Sequence, residues 1–158
     1  MAEAAQCNAD FDSARTLADK AKDKYRAAIE TIVLRIQYLS IAKVKNWFNE
    51  CKELYEKAVL HARNCYPDSE LADLLFKQAR FLQDNNQFGD SLCVYEEVLV
   101  IRRQLAKTNP EAYLPYVART LNNLGVLHWN TGKHGDAEKE YGEALEIRRH
   151  LAAASPEA

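Results

Sequence analysis

The sequence predicts an all-α protein built from a repeated pair of helices. Three observations carry this. Breakers are scarce, with five Gly and four Pro in 158 residues, which favours long helices over many short strands joined by tight turns. Apolar residues recur at three- and four-residue steps, the mark of one helix face. The chain also repeats itself: at an offset of 46, "IRRQLAKTNPEA" (101–112) falls on "IRRHLAAASPEA" (147–158), and 15 of the 42 positions from Leu71 to Ala112 are identical. A fixed offset of that size is the signature of stacked supersecondary units.

The N-terminal stretch is the least divided. Phe11, Ala14, Ala18, Ala21, Tyr25, Ala28, Ile32, Ile36 and Leu39 keep one helical rhythm with no Gly or Pro between them, so one long helix is the simplest reading. The alternative takes "DFDSARTLADKA" as the second helix of a degenerate repeat, with an unmarked turn near Lys24. From there the same helix type recurs three times, as Phe48, Cys51, Tyr55 and Ala58, then Phe88, Ser91, Tyr95 and Val98, then His134, Ala137, Tyr141 and Ala144. Each copy follows another apolar-periodic segment: Tyr25 to Val44, Leu71 to Leu82, and Tyr116 to Trp129. The expected organisation is an N-terminal helix region 1–31, a degenerate repeat 32–66, a second repeat 67–109 and a third 110–158.

The turns within pairs are "DNNQFGD" and "NTGKHGD", with Gly132 and Gly135 assigned to the second. "KTNPEAYLP" is the expected linker between repeats two and three, its prolines in a loop or first helical turn. Small residues sit at fixed points between large ones. Gly125 is expected to face a large side chain of its partner helix, and Ala137 and Ala144 to bracket Tyr141, as ridges-into-grooves packing requires. Cys51 and Ser91 fill the same notch in the other copies, so size rather than thiol chemistry explains Cys51.

At these residues the chain resembles the tetratricopeptide repeat. The pattern W-x-x-L-G-x-x-Y followed by A-x-x-x-F is similar to Leu121-x-x-Leu124-Gly125-x-x-His128 followed by Ala137-x-x-x-Tyr141, with departures at Leu121, His128 and Tyr141. The proline is displaced to Pro110 and Pro156, beyond a longer helix end, and "TLNNLGVLH" with "ALEIRR" looks like the kinesin light chain variety. The resemblance implies a right-handed α-solenoid of helix hairpins and a non-catalytic interaction scaffold that binds a peptide or partner helix in a concave groove. Carried over by position, the groove residues are Asp73, Phe76, Lys77 and Arg80 in repeat two, and Arg119, Asn122, Asn123, Val126 and Asn130 in repeat three.

The asparagines are informative in themselves. Asn is disfavoured in mid-helix by about 0.5 kcal/mol relative to Ala, and its amide offers a donor and an acceptor to an extended peptide backbone. Inter-repeat hydrogen bonding is the competing explanation of Asn122 and Asn123. Lys77, Arg80 and Arg119 add positive charge compatible with an acidic peptide, while Phe76, Val126 and Trp129 are expected to supply partly buried apolar contact.

Other chemistry is poorly supported. Net charge is -2 from 21 basic and 23 acidic side chains of mixed distribution, which offers no field for nucleic acid or an anionic membrane. Cys7, Cys51, Cys65 and Cys93 form no C-x-x-C, so a reducing, cytoplasmic setting without structural metal or cofactor is expected. His61 and Cys65 share a helix face, but two ligands do not make a zinc site. His128, His134 and His150 stand at separate repeat positions, and no nucleophile or phosphate-loop motif is present. The pairs Arg102/Arg103 and Arg148/Arg149 are read as complements to helix C-termini, with Glu146 as a neighbour. The sequence stops on "SPEA", where the earlier linker introduces a further helix, so the expectation is either a fragment of a longer array or a C-terminal face covered by a second copy. The alternative function is self-assembly through the C-terminal repeat face, sensitive to Leu145→Glu or Ile147→Glu.

Overall fold

The computed structural model describes residues 23–42 and 45–154. Everything regular in them is helical: α1 (23–42), α2 (Trp47–Cys65), α3 (Asp68–Asp84), α4 (Phe88–Thr108), α5 (Pro110–Asn130) and α6 (His134–Ala154). Two compact units divide between Tyr66 and Pro67. The reading of "DFDSARTLADKA" lies outside the described residues; Lys24 falls within α1.

In the first unit, α2 is entered from Asn46, whose φ of 64° is the left-handed conformation that Asn tolerates better than most residues. Ile29, Ile36 and Leu39 of α1 are buried, as are Cys51, Tyr55, Ala58 and Ala62 of α2. The Cys51 Sγ reaches the Ile36 carbonyl at 3.8 Å. Burial pushes its thiol above the usual range, followed by a lowering by Ser40 and a raising by Glu50, so a packing role rather than a nucleophilic one follows.

In the second unit successive helices pack on one another, α3 with α4, α4 with α5 and α5 with α6. The two intra-pair turns are the same structure. Asn86 (φ 60°) and Gly132 (φ 78°) occupy the left-handed position. The amide of Gln87 donates to the Leu82 carbonyl at 2.9 Å and that of Asn86 to Gln83 at 3.0 Å; their counterparts, Lys133 to His128 and Gly132 to Trp129, span 2.8 and 3.1 Å. This paired bonding is a Schellman motif. Gly89 and Gly135 are not the turn residues that "FGD" and "HGD" imply: each is the second residue of a helix with open space where a Cβ would be.

The linker "KTNPEAYLP" is almost entirely helix. α4 runs through Thr108, only Asn109 lies outside, and Pro110 is the first residue of α5. Proline suits that position because its missing N–H is one the helix cannot use, and Asn109 accepts the Ala112 amide at 3.2 Å. Pro115 sits inside α5, forgoing a bond to the Glu111 carbonyl where both residues are exposed. The longer spacing of the third repeat therefore lengthens a helix, 21 residues in α5 against 17 in α3.

The notch is real. A Cβ on Gly125 would stand 2.7 Å from Tyr141 Cε1 and 2.9 Å from Cδ1 and Cζ, while Ala137 and Ala144 on either side of that tyrosine are 0% and 3% exposed. Gly125→Ala should therefore destabilise the fold, since overpacking costs about 1–3 kcal/mol against about 1 kcal/mol gained in helix propensity. In a Tyr141→Ala background the same change should become stabilising. Urea unfolding of the four proteins in a double-mutant cycle checks this; equal effects in both backgrounds would dismiss the contact.

Candidate functional site

The site is built where α3, α4 and α5 meet. Arg102, in mid-α4, is 1% exposed. Its Nη2 donates to Asp73 Oδ1 of α3 at 2.7 Å, and its Nη1 to Thr120 Oγ1 of α5 at 2.9 Å and the Tyr116 carbonyl at 3.4 Å. The guanidinium also lies 4.5 Å from the centroid of the Phe76 ring and 5.3 Å from that of Tyr116. Arg119 of α5 stacks on the same two rings at 4.4 and 5.1 Å. Burial lowers the Arg102 pKa, opposed by the hydrogen bond and charge of Asp73, with Arg119 lowering it again. The guanidinium remains the cation of a buried, hydrogen-bonded pair.

One turn along, a second polar bridge joins the same helices. The Tyr95 hydroxyl of α4 donates to Gln83 Oε1 at 3.1 Å and accepts from Asn123 Nδ2 at 3.0 Å. The ring meets Phe76 edge-on at 5.4 Å. Burial raises the Tyr95 phenol to about 12, moderated by the Asn123 bond and the neighbouring arginines.

Between α3 and α5 opens a cavity of about 280 Å³ lined by Phe76, Arg80, Gln83, Asp84, Arg119 and Asn123. A second, of about 190 Å³, includes Asp73, Arg102, Tyr113 and Tyr116 in its wall. Of the nine residues expected in a groove, Phe76, Arg80, Arg119 and Asn123 thus share the first cavity and Asp73 lines the second. Lys77 and Asn130 are exposed and Asn122 and Val126 half-buried, lining neither.

Several expectations change with this geometry. Phe76 is 7% exposed, a floor beneath two guanidinium groups rather than an open apolar contact. Trp129 is 57% exposed and meets the His134 ring at 4.6 Å. Asn123 serves the inter-helix bridge first. Arg102 is not the complement to a helix end that its sequence position suggests but the buried centre of the site, and Arg103 pairs with Glu143, at 2.6 and 2.7 Å, rather than with Glu146. A sequence signal for Arg102 existed: it falls on the stripe Tyr95, Leu99, Arg102, Ala106 of a packed helix face.

Two further contacts of titratable groups lie away from this site. His128 Nδ1 and Glu140 Oε2 are 2.8 Å apart; burial raises the Glu140 pKa, with the His128 hydrogen bond lowering it. The His61 ring stacks on Tyr25, and Cys65 donates to the His61 carbonyl. Among the described residues no three His, Cys, Asp or Glu are grouped to hold a metal, and no helix is long and apolar enough to cross a membrane.

Residues 117–156 match the family model described as tetratricopeptide repeat. Among solved structures, the chain is similar to the crystal structure of BtubC (BKLC) from P. vanneervenii, with a TM-score of 0.61 and 20% identity over 86% of this chain and 56% of that one. At that identity the likeness is one of fold, and this chain spans little more than half of that protein's length. No curated protein matches the chain significantly.

Two predictions follow from the site's electrostatics. Arg102→Ala should cost about 2–5 kcal/mol, the loss expected when a long buried side chain is truncated, because the Asp73 carboxylate left behind is largely solvated; Arg102→Met should recover part of it by refilling the space of the stem, and urea midpoints measure both. Tyr55 and Tyr95 are both raised to about 12, above the ordinary value of about 10. Their protonated forms contribute stability that is complete below pH ~10 and lost as pH rises towards 12. Ultraviolet titration should show a late-ionising tyrosine signal near pH 12 that shrinks in Tyr55→Phe and again in Tyr95→Phe.

Proposed function

We propose that this chain, which carries a tetratricopeptide repeat at 117–156, is a non-catalytic binding module that holds an acidic segment of another protein between α3 and α5. The observation that carries the reading is the cavity lined by Arg80, Arg119 and Asn123 over the Phe76 ring. Arg80 and Arg119 are exposed, and neither forms an ion pair with a described residue, in contrast to Arg102 and Arg103. A guanidinium with free N–H donors is suited to a carboxylate, and a planar fork fixed on an aromatic face loses little freedom on binding.

Asp84 in the same wall would disfavour a second negative charge close to it, so the acidic group is expected on the Arg119 side. Asn122 and Asn130 extend the polar face along α5, where an extended backbone could meet amide donors and acceptors. Asp73 is committed to Arg102, which makes it a positioning residue: it holds the α3–α4–α5 junction on which the cavity depends.

A random peptide library displayed against the full chain tests this reading. Enriched sequences should be acidic, and their binding should fall about tenfold in Arg119→Ala and in Arg80→Ala, the size expected for a charge-assisted contact, with weakening as salt rises. Asn122→Ala should weaken binding without lowering stability, because Asn123, not Asn122, bridges to Tyr95. Enrichment of apolar or basic peptides, or indifference to both arginine changes, would exclude the groove as the binding surface.

A further inference from the structure

The second cavity, of about 190 Å³, differs in character from the first. It opens between the first two turns of α3 and α5 and the last two turns of α4. Ser69 and Asp73 come from α3, Arg102 and Leu105 from α4, and Tyr113 and Tyr116, whose ring centroids are 6.4 Å apart, from α5. Its uncommitted polar groups are acceptors. Asp73 gives Oδ1 to Arg102 at 2.7 Å, while Oδ2 has no partner among the described residues and the side chain is 56% exposed. The half-buried Ser69 hydroxyl has no described partner either.

What this cavity accepts follows by elimination. A carboxylate would meet the solvated oxygen of Asp73, while the cation in the wall, Arg102, is buried and already donates to Asp73, Thr120 and the Tyr116 carbonyl. A wholly apolar group would strip water from Asp73 and Ser69 and return no hydrogen bond, at the full desolvation penalty. An ammonium on an aliphatic stem answers both demands, with three donors for the acceptors and methylenes for Leu105 and the tyrosine rings. A cation beside an aromatic face gains further. Two forces oppose it. The positive ends of α3 and α5 lie here, offset by Asp68 and Glu70 in the first turn of α3, by Glu111 in that of α5 and by the negative end of α4. Arg102 repels as well. Coulomb energy falls inversely with distance, so an ammonium bonded to Asp73 and about twice as far from Arg102 gains about twice what it loses.

We propose that this cavity takes a lysine side chain of a partner protein, its ammonium donating to Asp73 Oδ2 and Ser69 Oγ and its stem lying against Leu105 and Tyr113. The cavity also fixes where that lysine stands in the partner, a step that rests on the acidic-segment reading. Both cavities follow one trough. Ser69, Asp73, Phe76 and Arg80 keep to one face of α3, and Tyr116, Arg119 and Asn123 to one face of α5. From Asp73 to Arg80, and from Tyr116 to Asn123, is seven residues, about 10 Å along a helix. Extended chain at about 3.3 Å per residue covers this in three residues. The lysine therefore lies three residues from the acidic residue held by Arg119 and Arg80.

The first probe is n-butylammonium, the lysine side chain without its backbone, titrated into the nitrogen-15-labelled full chain at constant ionic strength. Saturable shifts of the Ser69, Ala72 and Tyr113 amide signals are expected, and none with N-butylacetamide or butyrate. Asp73→Asn should remove them. So should Ser69→Lys, which keeps the Asp73–Arg102 pair and fills the cavity with a tethered ammonium, and which decides the matter even if Asp73→Asn unfolds the chain. Equal shifts with N-butylacetamide, or butylammonium shifts that survive Ser69→Lys, would overturn the proposal. The second probe is an acidic peptide with a lysine three residues from a glutamate. Replacing that lysine by norleucine or acetyl-lysine should weaken binding about tenfold, and the loss should vanish in Ser69→Lys. Peptides that need Arg119 yet ignore the lysine would overturn its placement in the partner. Butylammonium binding without any peptide binding would uphold the cavity and remove the acidic-segment reading alone.

Discussion

A full positive charge, Arg102, is buried where three helices meet, and the second unit is arranged around keeping it satisfied. Such a charge is tolerable only with a counter-ion and partners for its remaining donors. Asp73, Thr120 and the Tyr116 carbonyl provide these from the helices on either side of α4. The same side chain is packed against Phe76 and Tyr116, so the junction is held by stacking as well as by hydrogen bonds. Because Asp73 is itself largely solvated, the pair is buried at one end and open at the other. The cavity wall beside it is polar, with Arg80, Gln83, Asp84, Arg119 and Asn123, while Phe76 beneath is buried.

That junction fixes which residues remain available to a ligand. Phe76 is consumed as a floor, and Asn123 is consumed with Tyr95 and Gln83 in a second bridge. Among the described residues no buried side-chain polar atom is left without a partner. Among the described residues, Arg80 and Arg119, which line the first cavity, are exposed cations without an ion-pair partner, in a chain whose net charge is slightly negative.

Much of this architecture was legible in the residues. The 46-residue repeat located the helix pairs, and Gly125 opposite Tyr141 could be expected because a small residue at helical spacing opposite a large one has a steric meaning that needs no coordinates. That Phe76, Arg80, Arg119 and Asn123 would share one wall was legible by position in the repeat, since repeating units place equivalent faces on equivalent sides. Less legible were the ends of elements. "KTNPEAYLP" carries two prolines and reads as a linker, yet proline at a helix start is favourable and an exposed first turn tolerates a second, so α5 begins before the apolar rhythm does. The glycines of "FGD" and "HGD" read as turn residues, while the left-handed positions fall on Asn86 and Gly132, three residues earlier.

The sequence by itself determined the helix periodicity, the size of the repeat and the small-against-large matching, because these depend on spacing along one chain and on side-chain volume. Only the tertiary structure decided which charges are buried and which are free. Arg102, Arg103, Arg119 and Arg148 are the same residue type on similar helices, and their roles diverge because a charge answers to what stands a few ångströms away in space: Asp73 and Thr120 for the first, Glu143 for the second, aromatic faces for the third, and an uncovered helix face for the fourth.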